Sequence, residues 1–131
     1  MPRATGPFDV TLKPQPTATT AGLGRFSIDK QYRGDLEAIS KGEMLSAGGN
    51  VQGSAGYVAI ERVSGTLQGK NGSFILQHVG TMNRGTPQLT VTVIPDSGTD
   101  ELTGLSGSMH ITNAAGKHVY AFDYTLPPES A

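Results

Sequence analysis

The sequence predicts an all-β fold, a closed antiparallel barrel of about eight strands with at most one short helical turn. Three observations lead there. First, 18 glycines and 8 prolines interrupt the 131 residues, and the longest stretches free of both are residues 117–126 and 25–33, ten and nine residues long. A mean α-helix needs about 11–12 residues, and an interior glycine costs about 1 kcal/mol relative to alanine. Long helices are therefore nearly excluded, and with them bundles, Rossmann folds and helical DNA readers. Second, six prolines gather at the ends (Pro2, Pro7, Pro14, Pro16, Pro127 and Pro128), as expected of a residue that cannot donate to a ladder. Third, short runs rich in branched and aromatic residues recur between glycine-bearing turns.

Taken in order, those runs are residues 8–13, 25–33, 36–45, 57–69, 73–82, 88–94, 105–112 and 118–126. Residues 99–102 carry one helical turn closed by Gly104. Strands joined by short turns are antiparallel neighbours, because a parallel pair needs a crossover of a dozen or more residues. Eight such strands in one small domain close into a barrel or pack as a sandwich. The expected domain is 8–126, between a flexible N-terminus (1–7) and a flexible C-terminus (127–131), with a flexible connection over 17–22.

Turn chemistry proposes registers. Asn71-Gly72 is a strong type I′ signal. A two-residue loop there sets Leu67 opposite Leu76, Gly65 opposite His78, Val63 opposite Gly80 and Glu61 opposite Met82. A last hairpin around Ala114-Ala115 sets Leu105 opposite Tyr124, Gly107 opposite Phe122 and Met109 opposite Tyr120. A turn at Gly34 sets Phe26 opposite Gly42, Ile28 opposite Ser40 and Lys30 opposite Ala38. In each hairpin at least one glycine or other small residue lies against something large, an alternation that fills a tapering barrel interior. Gly42, Gly65, Gly69, Gly80 and Gly107 are read as such positions. The opposite face holds Val58, Ile60, Ile75 and Val79, an apolar patch of the kind that marks an interface. Should the faces be inverted, Arg62 and Gln77 would take the places of Glu61 and His78 inside.

Several segments carry a likeness to known proteins: Ser40-Lys41-Gly42-Glu43-Met44-Leu45, the run from Gly53 to Glu61, Gly72-Ser73-Phe74-Ile75-Leu76-Gln77-His78, and Val93 to Gly98 leading into Leu102–Gly107. Over roughly residues 6–126 the chain resembles a bacterial family of unknown function whose members look like allene oxide cyclase. The resemblance implies a small antiparallel barrel. In plants that fold encloses an apolar cavity, cyclises a fatty-acid epoxide and forms a trimer, so the likeness agrees with a homo-oligomer. The cysteine of the plant site has no counterpart, since the chain contains none. The resemblance therefore implies a fold and not the cyclase activity.

Composition narrows the function classes. Ten basic and eleven acidic residues are scattered singly for a net charge of −1, which gives no basic stripe for nucleic acid. No apolar run approaches a membrane span, and Met1 to Gly6 carries no apolar leader, so a cytoplasmic protein is expected. Gly65-Thr66-Leu67-Gln68-Gly69-Lys70 is one residue short of a phosphate-binding loop, and Gly104-Leu105-Ser106-Gly107 is not a nucleophile elbow. No cofactor is expected, nor a metal: the proposed register points His110 and His118 to opposite faces, and a transition metal wants three or four convergent ligands.

Three ionisable residues, Lys30, Glu61 and His78, fall on the expected interior face. Charge there is costly unless paired. One reading is a polar floor under an apolar pocket, with Glu61 as general base or ligand anchor and Tyr57 and His78 donating hydrogen bonds. The other places Lys30 and Glu61 near a rim, or as a mutually satisfied buried pair. On the proposed register Glu61 and His78 lie about 13 Å apart along the strand, too far for contact. Tyr120 and Phe122 are further candidates for contact with a ligand. The expected function is a binding barrel for a small hydrophobic or amphipathic molecule. The alternatives are an isomerase- or cyclase-type enzyme on a similar substrate, and a structural or interaction protein with no cavity.

Overall fold

The computed structural model describes residues 2–16 and 22–128. The expected connection over 17–22 therefore lies outside the described residues apart from Gly22, as do residues 129–131 of the C-terminal segment. Eight described strands close into one antiparallel barrel in sequence order: β1 (Arg3–Gln15), β2 (Leu23–Tyr32), β3 (Leu36–Gly48), β4 (Ala55–Leu67), β5 (Lys70–Asn83), β6 (Thr86–Val93), β7 (Ser106–Ala114) and β8 (Lys117–Thr125). The expected helical turn is a 3-10 segment, Asp100–Leu102. Among the described residues no helix is long and apolar enough to cross a membrane.

Closure explains why β1 starts five residues before the expected boundary at Phe8. Its first half, Arg3 to Phe8, pairs with β8, and its second half, Phe8 to Gln15, pairs with β2. Pro7 fits there because its carbonyl still accepts from the Arg33 amide at 3.0 Å. Elsewhere in the barrel β6 and β7 meet through one pairing, Thr92 opposite Ser108.

The strands occur where expected, but all three proposed registers are corrected. The β4–β5 turn is Gln68-Gly69, both left-handed (φ 45° and 87°), and not Asn71-Gly72. Gln68 is held in that conformation by its amide donating to the Asp35 carbonyl at 2.8 Å and by the Tyr124 hydroxyl donating to its side chain. Gly72 serves another purpose: it lies beneath the 3-10 turn, where a Cβ would come within 2.3 Å of the Thr99 carbonyl oxygen. Glu61 consequently faces Leu76 and His78 faces Ala59, a slip of six residues from the proposed pairing. The β2–β3 and β7–β8 hairpins each slip by two, so that Lys30 faces Ser40 and Met109 faces Phe122. Every slip is even, so every side chain keeps its face.

Inside, the two halves of the barrel differ. The base is packed by Phe74, Phe122 and Tyr124, stacked at 5.7 and 5.4 Å between centroids, with Leu36, Leu67, Leu102 and Leu105 around them. At the other end inward-pointing apolar side chains are open to solvent: Leu12 is 45% exposed, Leu89 43% and Met82 40%. That end is a mouth. Outside, Val58, Ile60 and Val79 are exposed as expected, joined by Leu45, whereas Ile75 is half-buried.

Four of the five glycines read as interior space do sit at close approaches, and Gly69 is corrected to a turn residue with nothing near it. At Gly42 a Cβ would lie 2.0 Å from the Ile60 carbonyl oxygen and 2.7 Å from the Glu61 Cα, both backbone atoms that cannot step aside. Gly42→Ala should therefore cost about 1–3 kcal/mol, read as a lower urea midpoint at unchanged slope.

Candidate functional site

A polar layer separates the packed base from the mouth, and it is assembled by strand alternation. Lys30 and Tyr32 are successive inward positions of β2, Ser40 lies opposite Lys30 on β3, Glu61 projects from β4, and His78 comes from β5. Glu61 is the centre. Its Oε2 accepts from Lys30 Nζ at 2.7 Å and from His78 Nε2 at 2.5 Å. Its Oε1 accepts from the Tyr32 hydroxyl at 2.5 Å and from Ser40 Oγ at 2.7 Å. The expected separation of Glu61 and His78 is thus overturned. With His78 opposite Ala59, two residues from Glu61, the two side chains are diagonal neighbours.

The electrostatics follow from that geometry. Glu61 is fully buried, Lys30 is 9% exposed and His78 4%. Burial alone would push the Glu61 carboxyl up, but the His78 hydrogen bond and the Lys30 charge outweigh it and hold it at about 2. Burial first, and then the neighbouring Glu61 charge, raise the Tyr32 hydroxyl well above its ordinary value; the same two causes raise Tyr57. Lys30 completes its surroundings with the Tyr32 hydroxyl at 3.3 Å and the Phe8 ring, whose centroid is 5.0 Å from Nζ.

Above this layer the mouth encloses a cavity of about 310 Å³. Val10, Leu12, Ile28, Met44, Leu89 and Ile111 form its apolar walls, Lys30 and His78 reach it from the floor, and Tyr57 and His118 stand at its side. A second hollow of about 310 Å³ adjoins it at the rim, sharing Met44, Tyr57 and Leu89. Tyr57 lies flat against Gly80, where a Cβ would come within 2.4 Å of its ring.

Of the six candidate ligand contacts, Lys30, Tyr57 and His78 line the cavity, and Glu61 anchors Lys30 and His78. A role for Glu61 as general base does not fit four donors on its two oxygens and a carboxyl held near 2. Tyr120 and Phe122 belong elsewhere. The Tyr120 hydroxyl donates to the Arg33 carbonyl at 2.6 Å and accepts from the Leu36 amide at 2.8 Å, and Phe122 is stacked in the base. Tyr32 and Ser40 were not singled out from sequence, although their inward alternation with Lys30 was the signal. His110 points outward, 3.8 Å from Asp123, while His118 packs inside against Phe8. Among the described residues no three histidine, aspartate or glutamate side chains converge as metal ligands.

Comparisons with known proteins agree with this architecture. A family model described as a protein of unknown function (DUF3224) matches residues 4–124. The crystal structure of a protein with unknown function from the DUF3224 family of Shewanella oneidensis MR-1 superposes with a TM-score of 0.93. Its sequence is 51% identical, and the match covers 98% of this chain and 99% of that one. No curated protein matches. A likeness running through the whole barrel, from β1 to β8, makes this chain a member of the DUF3224 family.

Proposed function

We propose that the barrel binds a small amphipathic molecule in its mouth, apolar body against the walls and polar head on the floor. The observation that carries this reading is the cavity of about 310 Å³ with Lys30 and His78 at the bottom of otherwise apolar walls. Binding pockets are commonly of this kind, largely apolar with a few convergent polar groups that fix orientation. At about 30 Å³ per water, its volume is that of roughly ten waters, which suits a small molecule. A barrel filled to the rim, with a purely structural role, would have no such space.

The test is calorimetric titration with 1-octanol, a neutral amphipath of suitable size. Wild type should bind it, and Met44→Trp, which fills the mouth without touching the floor, should weaken binding at least tenfold, a loss of about 1.4 kcal/mol or more. Equal affinity in the two proteins, or no binding to wild type, would contradict the proposal.

A further inference from the structure

We infer that the cavity floor is a proton-transfer site that enolises small carbonyl compounds, with His78 as the base and Lys30 and Tyr57 receiving the developing oxygen charge. The inference rests on the reading that the cavity admits a small amphipathic molecule. It begins with the two nitrogens of His78. Glu61 takes the Nε2–H at 2.5 Å, which in the neutral imidazole leaves the lone pair on Nδ1. No described residue hydrogen-bonds to Nδ1. Yet no buried side-chain nitrogen or oxygen among the described residues lacks a partner, so Nδ1 is an atom of the ring that solvent reaches. His78 lines the cavity, and its Nδ1 is the lone pair offered to whatever enters.

A base needs an electrophilic partner beside it. Lys30 Nζ shares Glu61 Oε2 with His78, so the ammonium and the imidazole are immediate neighbours on one carboxylate oxygen. Two of its three N–H groups go to Glu61 and Tyr32, leaving one for a ligand oxygen. The Tyr57 ring stands 6.5 Å from that of His78, and burial with the Glu61 charge keeps its hydroxyl protonated, hence a donor. An apolar ligand body seated between the walls would displace the water there, which strengthens such donors toward an oxyanion.

The step balances without a cofactor. Nδ1 takes a proton from the carbon next to a carbonyl, and the C–H electron pair becomes the C=C bond. The carbonyl π pair moves to oxygen, where Lys30 and Tyr57 hold it. The imidazolium then returns its proton to that oxygen, giving the enol, or to carbon, giving the ketone with its hydrogen exchanged. Glu61 touches no substrate; it is a positioning residue that fixes the tautomer and orientation of His78. The substrate class is a compact ketone with an apolar body and an acidified α C–H.

The experiment uses 2-tetralone, following exchange of its benzylic C1 protons by proton NMR in D2O, with binding measured in parallel by saturation transfer. Wild type should accelerate exchange over buffer. His78→Asn should lose on the order of a hundredfold of that acceleration while still binding the ketone. Met44→Trp, with the floor intact, should lose both binding and exchange, which keeps the test decisive if the histidine variant does not fold. Binding of 2-tetralone without acceleration, or acceleration that survives His78→Asn, overturns the inference and leaves the binding reading standing. Binding of 1-octanol but not of 2-tetralone does the same. Failure of wild type to bind either molecule removes both.

Discussion

Glu61→Gln should destabilise the barrel by about 3–5 kcal/mol, the range expected when one member of a buried ionic cluster is removed and its partners are left unsatisfied. Glutamine has nearly the same shape, so the loss is electrostatic. Two donors converge on each carboxylate oxygen, Lys30 and His78 on one, Tyr32 and Ser40 on the other. Turned toward Lys30 and His78, the amide NH2 meets two donors; turned toward the Tyr32 and Ser40 hydroxyls, which can also accept, it keeps its hydrogen bonds but leaves the buried Lys30 ammonium without its counter-charge. Urea unfolding at neutral pH measures the loss. The acid limb gives a second signature of the same cluster. Glu61 is held at about 2 against an ordinary 4.5, so its contribution is fully present above the unfolded value and disappears as pH falls from 4.5 through about 2. That difference corresponds to about 3 kcal/mol. Wild type should lose this amount over that window, and Glu61→Gln should lack that part of the slope.

Phe122→Ala should cost a comparable amount, about 3–5 kcal/mol, for a different reason. Its ring is fully buried between Phe74 and Tyr124 at 5.7 and 5.4 Å, in the packed half of the barrel. Truncation there leaves a void that strands tied on both sides cannot collapse. The same substitution at Leu89, also inward but 43% exposed at the mouth, removes little buried surface and should cost under about 1 kcal/mol. Thermal and urea unfolding of the two variants compare the halves directly. Similar losses at both positions would mean that the mouth is as tightly packed as the base.

Which residues point inward was legible in the sequence, and which residues touch was not. Alternation has a period of two, so proposed registers wrong by two or six still put Lys30, Tyr57, Glu61 and His78 inside. Contact depends on the register itself. Asn71-Gly72 was the stronger local turn signal, yet Gly72 is required under Thr99 and Leu102, a demand that arises only once the chain returns from residue 100 to cover the base. Shifting the turn to Gln68-Gly69 carried His78 to Glu61. Alternation is likewise silent about height within the barrel. Tyr120 and Phe122 share a face with the pocket residues but sit below the polar layer, where their spacing looks the same as that of a wall. Tyr32 and Ser40 were visible as inward residues, and their part in the cluster depends on three-dimensional convergence around a single carboxylate.

The Glu61 layer divides one barrel into a packed base and an open mouth. Methyl-resolved NMR during titration with 1-octanol addresses both halves at once. Saturable shifts should appear at Val10, Ile28, Met44, Leu89 and Ile111, and be absent at Leu36, Val63 and Leu67 below the layer. Shifts distributed equally between the two sets, or confined to the outer face at Leu45, Val58 and Val79, would contradict it.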